Sequence, residues 1–323
     1  MSDSLHAVED VLVRTITDQA KEVLSFELRR VDGSDLPPFT AGAHIEVILP
    51  TGMVRSYSLV NSQHERHRYV IAVGRDPASR GGSRFLHDNV RAGDRLRIGI
   101  PRNNFSLDES AESSLFIAGG IGVTPVLSMI RRLEALGRKW VLHYATRARE
   151  RTAFLQELTD LSRSEAGNLH LHFDDERPGR FLDLGAIVAR SSADSHLYCC
   201  GPAPMLQAFE AATSDRCRDR IHVEYFSPKS APATAGGFAV VLSRSGRTLH
   251  VSEGTTILDA LLAENVDVPY SCREGTCGTC ETRVLEGTPD HRDVVLSDAE
   301  RRSNSTMMIC CSGARSPRLV LDL

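Results

Sequence analysis

The stretch SCREGTCGTCE, residues 271–281, decides the fold of the C-terminal part of this chain. It sets Cys272, Cys277 and Cys280 in the pattern C-x4-C-x2-C, and Cys310 follows after 29 intervening residues. Two glycines lie between the cysteines, and glycine provides the backbone freedom that a short loop needs to fold around a metal centre. The pattern therefore predicts a loop that helps to present four thiolates to one centre.

The cysteine spacing is that of a plant-type [2Fe–2S] cluster. A zinc site more often shows two C-x2-C pairs, and we expect no disulfides because the N-terminus lacks the basic start and apolar run of a secretory signal. Cys311 adjoins Cys310, and neighbouring side chains of a strand point to opposite faces. We take Cys310 as the fourth ligand and keep Cys311 as the alternative. The default for the four remaining cysteines is a buried small hydrophobic residue: Cys199, Cys200, Cys217 and Cys311.

Composition limits the function classes. The chain has 323 residues, 41% hydrophobic and 25% charged, which suits two or three globular domains. The formal net charge is −4 without a block of Lys or Arg, so we expect no nucleic acid partner. No apolar run approaches the roughly 20 residues that span a bilayer. We expect a cytoplasmic protein, with a monomer as the default.

The upstream chain divides into two regions of different periodicity. Residues 6–106 carry short apolar runs such as HIEVILP and RYVIAV between turn residues, which predicts an all-β sandwich or barrel. Residues 110–226 alternate strand-like runs with helical ones, as in SLFIAGG followed by TPVLSMIRRLEALG. That alternation predicts a parallel α/β sheet.

A linker separates these regions from the cysteine loop. The segment SPKSAPATAG, residues 227–236, is rich in Pro, Ala, Ser and Thr and has no apolar periodicity. We expect a hairpin turning at Ser245-Gly246, a helix in TTILDALLAENV and a last strand in RLVLDL. The predicted domains are residues 1–107, 108–226 and 237–323.

Two glycine turns in the α/β region are candidate nucleotide contacts. FIAGGIGVTP places Gly119, Gly120 and Gly122 between a strand and a helix, where backbone N–H groups can receive a pyrophosphate. The spacing is not G-x-G-x-x-G, and no acidic residue marks the usual ribose contact. YCCGP, residues 198–202, ends a later strand at the sheet edge where open α/β sheets bind ligands. A purely structural turn explains either segment equally well.

The β region holds a candidate anion site. Arg55-Ser56-Tyr57-Ser58 lies on a predicted strand, and SRGGSRFLH, residues 79–87, enters a predicted helix. A guanidinium can bind phosphate, and glycine N–H groups with a serine can hold the same anion. Taken singly, these residues are better explained as an exposed arginine, a turn and a half-buried tyrosine.

Taken in order, RSYS, SRGGS, GGIGVTP, CGP and C-x4-C-x2-C…C resemble the phthalate dioxygenase reductase family. This family includes vanillate O-demethylase reductases and supplies electrons to Rieske oxygenases. The resemblance covers nearly the whole chain. It implies a flavin-binding Greek-key β-barrel, an NAD-binding doubly wound α/β domain and a C-terminal plant-type ferredoxin (β-grasp) domain.

The resemblance also assigns roles to single residues. It implies FMN contacts at Arg55, Ser56, Tyr57, Ser58, Gly81, Gly82 and Ser83. It implies NADH contacts at Gly120, Gly122, Thr124, Pro125, Gly201 and Pro202. Cys200 would lie at the nicotinamide, Phe226 would cover the flavin, and the cluster ligands would be Cys272, Cys277, Cys280 and Cys310. The loop at 79–87 leaves no room for an adenine-binding extension, which favours FMN over FAD.

The implied function is the reductase component of a Rieske-type oxygenase system. Electrons would pass from NADH through FMN and the [2Fe–2S] cluster to a terminal oxygenase, which acts on an aromatic compound or an aryl ether. Two alternatives stay open: a stand-alone NAD(P)H-dependent flavin or quinone reductase, and a C-terminal module outside the electron path. NADPH also stays open, because Arg147, Arg149 and Arg151 in YATRARER could hold a 2′-phosphate.

Overall fold

The computed structural model describes residues 8–76, 81–176, 179 and 181–323. Within these residues the chain separates into two compact units, one ending at Glu224 and one beginning at Tyr225. Ser79 and Arg80 of the predicted anion loop lie outside the described residues, as do the first seven residues of the predicted β domain.

The regular elements are numbered in chain order. The strands are β1 (Val8–Ala20), β2 (Val23–Arg30), β3 (His44–Ile48), β4 (Val54–Ser58), β5 (Tyr69–Gly74), β6 (Arg95–Gly99), β7 (Ser113–Gly119), β8 (Lys139–Thr146), β9 (Gly167–Phe173), β10 (His196–Cys200), β11 (Ile221–Glu224), β12 (Phe238–Leu242), β13 (Thr248–Val251), β14 (Glu281–Glu286), β15 (Pro289–Asp290), β16 (Thr306–Met308), β17 (Gly313–Ala314) and β18 (Arg318–Leu321). The α-helices are α1 (Gly82–Asn89), α2 (Val123–Leu136), α3 (Leu155–Leu161), α4 (Leu184–Arg190), α5 (Ala203–Ala212), α6 (Ile257–Ala263) and α7 (Asp298–Ser303). Short 3₁₀ helices cover Gly120–Gly122, Arg149–Arg151 and Arg218–Arg220.

The first six strands form an antiparallel sheet in the order β4-β3-β6-β1-β2-β5. Alternate side chains point inward, so Phe26 and Ile71 are fully buried. A bridge between Leu59 and Ile71 joins the end of β4 to β5, and the Val60 N–H donates to the Val70 carbonyl at 2.9 Å. These contacts close the sheet, so the sequence alternatives of sandwich and barrel resolve to a Greek-key barrel.

The α/β sheet is wholly parallel in the order β9-β8-β7-β10-β11. The strand order reverses between β7 and β10, which is where doubly wound sheets form a ligand crevice. Helix α2 ends at Gly137 in the left-handed conformation (φ +63°), as its periodicity predicts. Helix α3 is shorter than its sequence suggests, because Phe154 is left-handed (φ +59°) just before it. Among the described helices, none combines the length and apolarity needed to cross a membrane.

The barrel and the α/β sheet share a core. Val60 and Phe105 are buried in one cluster with Val126 and Leu133 of α2. The Gly42 N–H also donates to Ser128 Oγ on that helix at 3.0 Å. The segment that joins the two layers runs between β6 and β7 and contains the predicted boundary at residue 107.

The C-terminal unit is built on a five-stranded mixed sheet in the order β13-β12-β18-β14-β16. The central β12 and β18 are parallel, and α6 packs on the sheet through Ile257, Leu258 and Leu261, the arrangement of a β-grasp fold. The predicted hairpin turns at Gly246 (φ +70°). The sequence did not predict β14 to β17 or α7, which lie between the cysteine loop and the last strand.

The predicted linker at residues 227–236 contains no helix or strand. Its second half is bonded to the C-terminal unit: the Ala233 N–H donates to the Cys311 carbonyl at 2.8 Å, and Gly254 N–H donates to the Thr234 carbonyl at 2.8 Å. The irregular segment therefore ends as part of that unit.

Candidate cofactor and metal sites

The two glycine turns of the α/β sheet meet at the carboxyl ends of β7 and β10. A Cβ on Gly119 would lie 2.6 Å from Pro202 Cδ, and one on Gly201 would lie 3.1 Å from the Gly119 nitrogen. A Cβ on Gly122 would overlap the Cys200 carbonyl. Only glycine permits this approach. The crevice therefore brings together residues that the sequence placed 80 positions apart.

Helix α2 presents its N-terminus to this crevice. Gly120 is left-handed (φ +53°), and Thr124 Oγ1 donates to the Ile121 carbonyl at 2.9 Å. No side chain caps the first N–H groups of the helix. Pro125 lies in its first turn, where its missing N–H costs nothing. A helix N-terminus without a side-chain cap is the place where a dinucleotide pyrophosphate commonly binds.

A thiol and a carboxyl group face each other at the base of the crevice. Cys200 and Glu224 are paired in the β10–β11 register, and Cys200 Sγ lies 3.8 Å from Glu224 Oε2. Burial raises the pKa of Glu224 to about 8, and burial together with Glu224 raises the pKa of the Cys200 thiol well above its usual range. Both groups carry their protons at neutral pH. The sequence pattern identified Cys200 as a candidate site residue but not Glu224. Glu224 could have been identified from its position at the end of the strand IHVE, which pairs with the strand that ends at Cys200.

The strand and loop predicted to hold FMN also come together. A Cβ on Gly82 would lie 2.7 Å from Arg55 Cγ, so the arginine lies directly against the start of α1. Gly81, just before the helix, is left-handed (φ +110°), and no side chain caps the helix. Ser83 Oγ accepts from the Asp76 N–H at 3.4 Å. A guanidinium beside a helix N-terminus can bind a phosphate.

Unpartnered polar atoms support a flavin at the same strand. Ser58 Oγ and His44 Nε2 are buried without a hydrogen-bond partner in the described chain, and the two residues are cross-strand neighbours in β3 and β4. Burial lowers the pKa of His44 to about 4 and raises that of Tyr57 to about 12, so both are neutral. Ser56, on the same face of β4 as Ser58, is exposed, so its predicted flavin contact stays a prediction. A polar heterocycle would satisfy the buried atoms.

The predicted cluster ligands all belong to the C-terminal unit. Cys277, Cys280 and Cys310 are each no more than 3% exposed, and Cys272 is partly exposed. The Cys272 thiol interacts with those of Cys277 and Cys310, and its sulfur accepts from the Glu274 N–H at 3.3 Å. No three Cys, His, Asp or Glu side chains of the described chain are arranged to hold a single metal ion. A binuclear cluster differs, because its thiolates are divided between two irons.

Cys310 and Cys311 have different surroundings. The Cys310 thiol meets that of Cys272, whereas Cys311 Sγ occupies the space that a Cβ on Gly275 would need. Gly275 is left-handed (φ +70°), so the loop passes directly over Cys311. Both residues lie in the turn after β16 and not in a strand, and their thiols contact each other, so the opposite-face argument does not separate them. The contact with Cys272 favours Cys310 as the fourth ligand, which stays a prediction.

Phe226, the residue predicted to cover the flavin, lies in the C-terminal unit. Its side chain is 42% exposed. That role stays a prediction as well.

Two protein-family models match this chain, one over the predicted nucleotide-binding region and one over the predicted cluster region. Residues 240–315 match the 2Fe-2S iron-sulfur cluster binding domain, and residues 116–211 match the oxidoreductase NAD-binding domain.

Three characterised relatives match almost end to end. Phenoxybenzoate dioxygenase subunit beta of Ectopseudomonas oleovorans is 54% identical over 96% of both chains. Tetrachlorobenzoquinone reductase of Sphingobium chlorophenolicum is 54% identical over 97% of this chain and 98% of its own. Vanillate O-demethylase oxidoreductase of Pseudomonas putida is 44% identical over 97% of this chain and 99% of its own.

Solved structures give the same result. Phthalate dioxygenase reductase, described as a modular structure for electron transfer from pyridine nucleotides to [2Fe–2S], is 40% identical, with a TM-score of 0.72 over 98% of both chains. An intact type IV self-sufficient cytochrome P450 monooxygenase matches 98% of this chain at 39% identity and a TM-score of 0.89. This chain corresponds to 41% of that longer polypeptide.

Proposed function

Because this chain belongs to the phthalate dioxygenase reductase family, we propose that it is the reductase component of a Rieske-type oxygenase system. It is an oxidoreductase that takes electrons from NADH and passes them to a [2Fe–2S] cluster. The observation that carries the proposal is that one chain combines the glycine crevice, the Arg55 strand and the four-cysteine loop. A terminal oxygenase for an aromatic substrate or an aryl ether is the expected acceptor.

Different residues are proposed to position the flavin and the dinucleotide. Bound FMN would accept a hydride from NADH and release electrons singly to the cluster, so it converts a two-electron donor into one-electron steps. Arg55, with the N–H groups at Gly82 and Ser83, would hold the flavin phosphate. The crevice of Gly119 and Gly201 would hold the dinucleotide, with the uncharged Cys200 and Glu224 pair at the nicotinamide end. Alignment of the two rings is the contribution of the protein.

Transfer to the partner calls for a brief encounter. Redox complexes lie at the small end of interface sizes, so we infer a transient complex of a monomeric reductase with its oxygenase. A reducing cytoplasm suits both the cluster and the cysteines, all eight of which are free thiols in the structure.

Cys277→Ser tests the electron path. The variant should keep flavin reduction by NADH, observed as bleaching of the flavin absorbance, and should lose electron transfer to cytochrome c or the purified oxygenase. The sequence-based expectation that Cys217 is buried is wrong, because its thiol is exposed, whereas Cys199, Cys200 and Cys311 are buried. Cys217→Ser is therefore the matched control, at an exposed thiol outside the cluster loop. Full transfer by Cys277→Ser would refute a path through the cluster.

The second candidate is a stand-alone quinone reductase. The 54% identity to tetrachlorobenzoquinone reductase favours it. This function predicts rapid NADH-dependent reduction of tetrachlorobenzoquinone by the purified chain, undiminished in Cys277→Ser. The proposed function predicts that a purified oxygenase turns over only when the intact chain is added.

A further inference from the structure

The loop after β8 lies where a doubly wound domain meets the adenosine ribose. β8 is the second strand of the sheet in sequence, and the carboxyl end of that strand commonly carries an acidic residue for a 2′-hydroxyl or an arginine for a 2′-phosphate. Here the strand ends at Thr146, and Arg147, Arg149 and Arg151 follow. The arrangement by itself would favour NADPH.

One of these arginines, Arg151, forms an ion pair with a residue of the barrel. Arg151 Nη1 donates to Glu22 Oε2, and Lys21 Nζ donates to Glu150 Oε1 at 2.7 Å. The Lys21 N–H also donates to the Glu150 carbonyl at 2.8 Å. Two reciprocal ion pairs and a backbone hydrogen bond therefore fix the tip of the β1–β2 hairpin against the loop after β8.

Glu22 is held in an uncommon backbone conformation. Its φ of +66° lies in the left-handed region, which long side chains seldom adopt. The Arg75 N–H donates to its carbonyl at 2.7 Å, so the hairpin tip is held from β5 as well. The fold therefore holds the backbone of Glu22 in place, and the carboxylate, on a side chain that is 40% exposed, is held by Arg151.

A second arginine is also engaged. The Arg149 guanidinium lies 4.4 Å from the centre of the Phe173 ring and 3.7 Å from Glu176. The Asp175 N–H donates to the Arg147 carbonyl at 3.1 Å, which brings the acidic residues after β9 alongside this loop. The environment is thus a set of arginines opposed by carboxylates.

We propose that Glu22, a residue of the barrel, determines nucleotide selection by holding Arg151 and opposing a 2′-phosphate with its own charge. This inference rests on the proposed NADH-dependent function. A bound NADPH would have to break the Glu22–Arg151 pair or accept a carboxylate near its phosphate, whereas NADH brings no charge there.

The test compares Glu22→Gln, Arg151→Gln and the double variant in the holoenzyme. Glu22→Gln should raise kcat/KM for NADPH about tenfold through KM, since one charge-assisted hydrogen bond is gained, and should leave NADH turnover near that of the parent. The double variant should keep only the smaller part of the gain, which comes from removal of the carboxylate, because the freed cation is gone. Glu22→Asp should keep the parent preference. Glu9→Gln is the matched control, because it removes a barrel Glu–Arg pair (with Arg30) elsewhere.

Binding of 2′,5′-ADP gives a second readout that needs no electron transfer. Its affinity should rise in Glu22→Gln, relative to 5′-AMP, and the gain should shrink at high salt. An unchanged NADPH to NADH ratio together with unchanged 2′,5′-ADP affinity would overturn the proposal, as would the same gain in the double variant. A chain that oxidises neither nucleotide would contradict the proposed function instead, and the affinity of 2′,5′-ADP would still decide the role of Glu22.

Discussion

At the residue scale, the least expected feature is the carboxyl group of Glu224 beside the Cys200 thiol. The two residues are 24 positions apart, and only the parallel pairing of β10 with β11 makes them neighbours. A carboxyl group that stays protonated at neutral pH can donate a hydrogen bond, which an ionised one cannot. The pair therefore offers the nicotinamide end of the crevice a neutral, proton-bearing surface.

Glu224 should make stability depend on pH. Its pKa is raised to about 8 from the ordinary 4.5, so its contribution is fully present below pH 4.5 and is lost as pH rises through 8. Glu224→Gln cannot ionise and should avoid this loss. Between pH 5 and pH 8, its free energy of unfolding should gain about 1–3 kcal/mol on the parent.

Trp140 provides the measurement. It is the single tryptophan, buried in the core of the first unit, so its fluorescence in urea follows that unit. Glu112→Gln, at an exposed glutamate just before β7, is the control. Parallel pH profiles for the parent and Glu224→Gln would contradict the assignment.

At the element scale, the cysteine loop and β16 with its following turn make the cluster site. The loop passes over Cys311 at Gly275, while Cys310 meets Cys272. Cys310→Ser should therefore lose the visible absorbance of the cluster and most of its iron, and Cys311→Ser should keep both near the parent level. Iron content per chain and the absorbance spectrum decide the matter. The reverse pattern would make Cys311 the ligand.

Elements with strong local signals could be predicted from the sequence. Helix α2 has clear apolar periodicity and a terminal glycine, and the β12–β13 hairpin has a Ser-Gly turn, so both were found. Strands β15 and β17 are two residues each and are held by pairing with distant segments, so no local periodicity marks them. The four-cysteine motif predicts a cluster site from its spacing alone. The Glu22–Arg151 pair joins residues 129 positions apart and cannot be predicted without the fold.

At the scale of the whole molecule, each of the two units has its own hydrophobic core residues. The barrel and α/β sheet share buried residues such as Val60 and Val126, whereas the C-terminal unit has its own core around Val240, Leu261 and Leu319. The predicted cluster ligands all belong to the second unit. The predicted nucleotide and flavin residues, Phe226 excepted, belong to the first. Loss of one unit's stability should therefore affect the electron carrier that this unit is predicted to bind.

Removal of iron should therefore destabilise one unit only. Metal binding contributes directly to the folding free energy of a small metal domain, and the second unit has roughly 100 residues to stabilise without it. Heating the intact protein should give two calorimetric transitions. Anaerobic chelation of the iron, or Cys277→Ser, should lower the Tm of one by about 10 °C or more while the other, reported by Trp140 fluorescence, moves by less than about 2 °C. A single transition that shifts as a whole would mean that the units unfold cooperatively and that the cluster stabilises the nucleotide site as well.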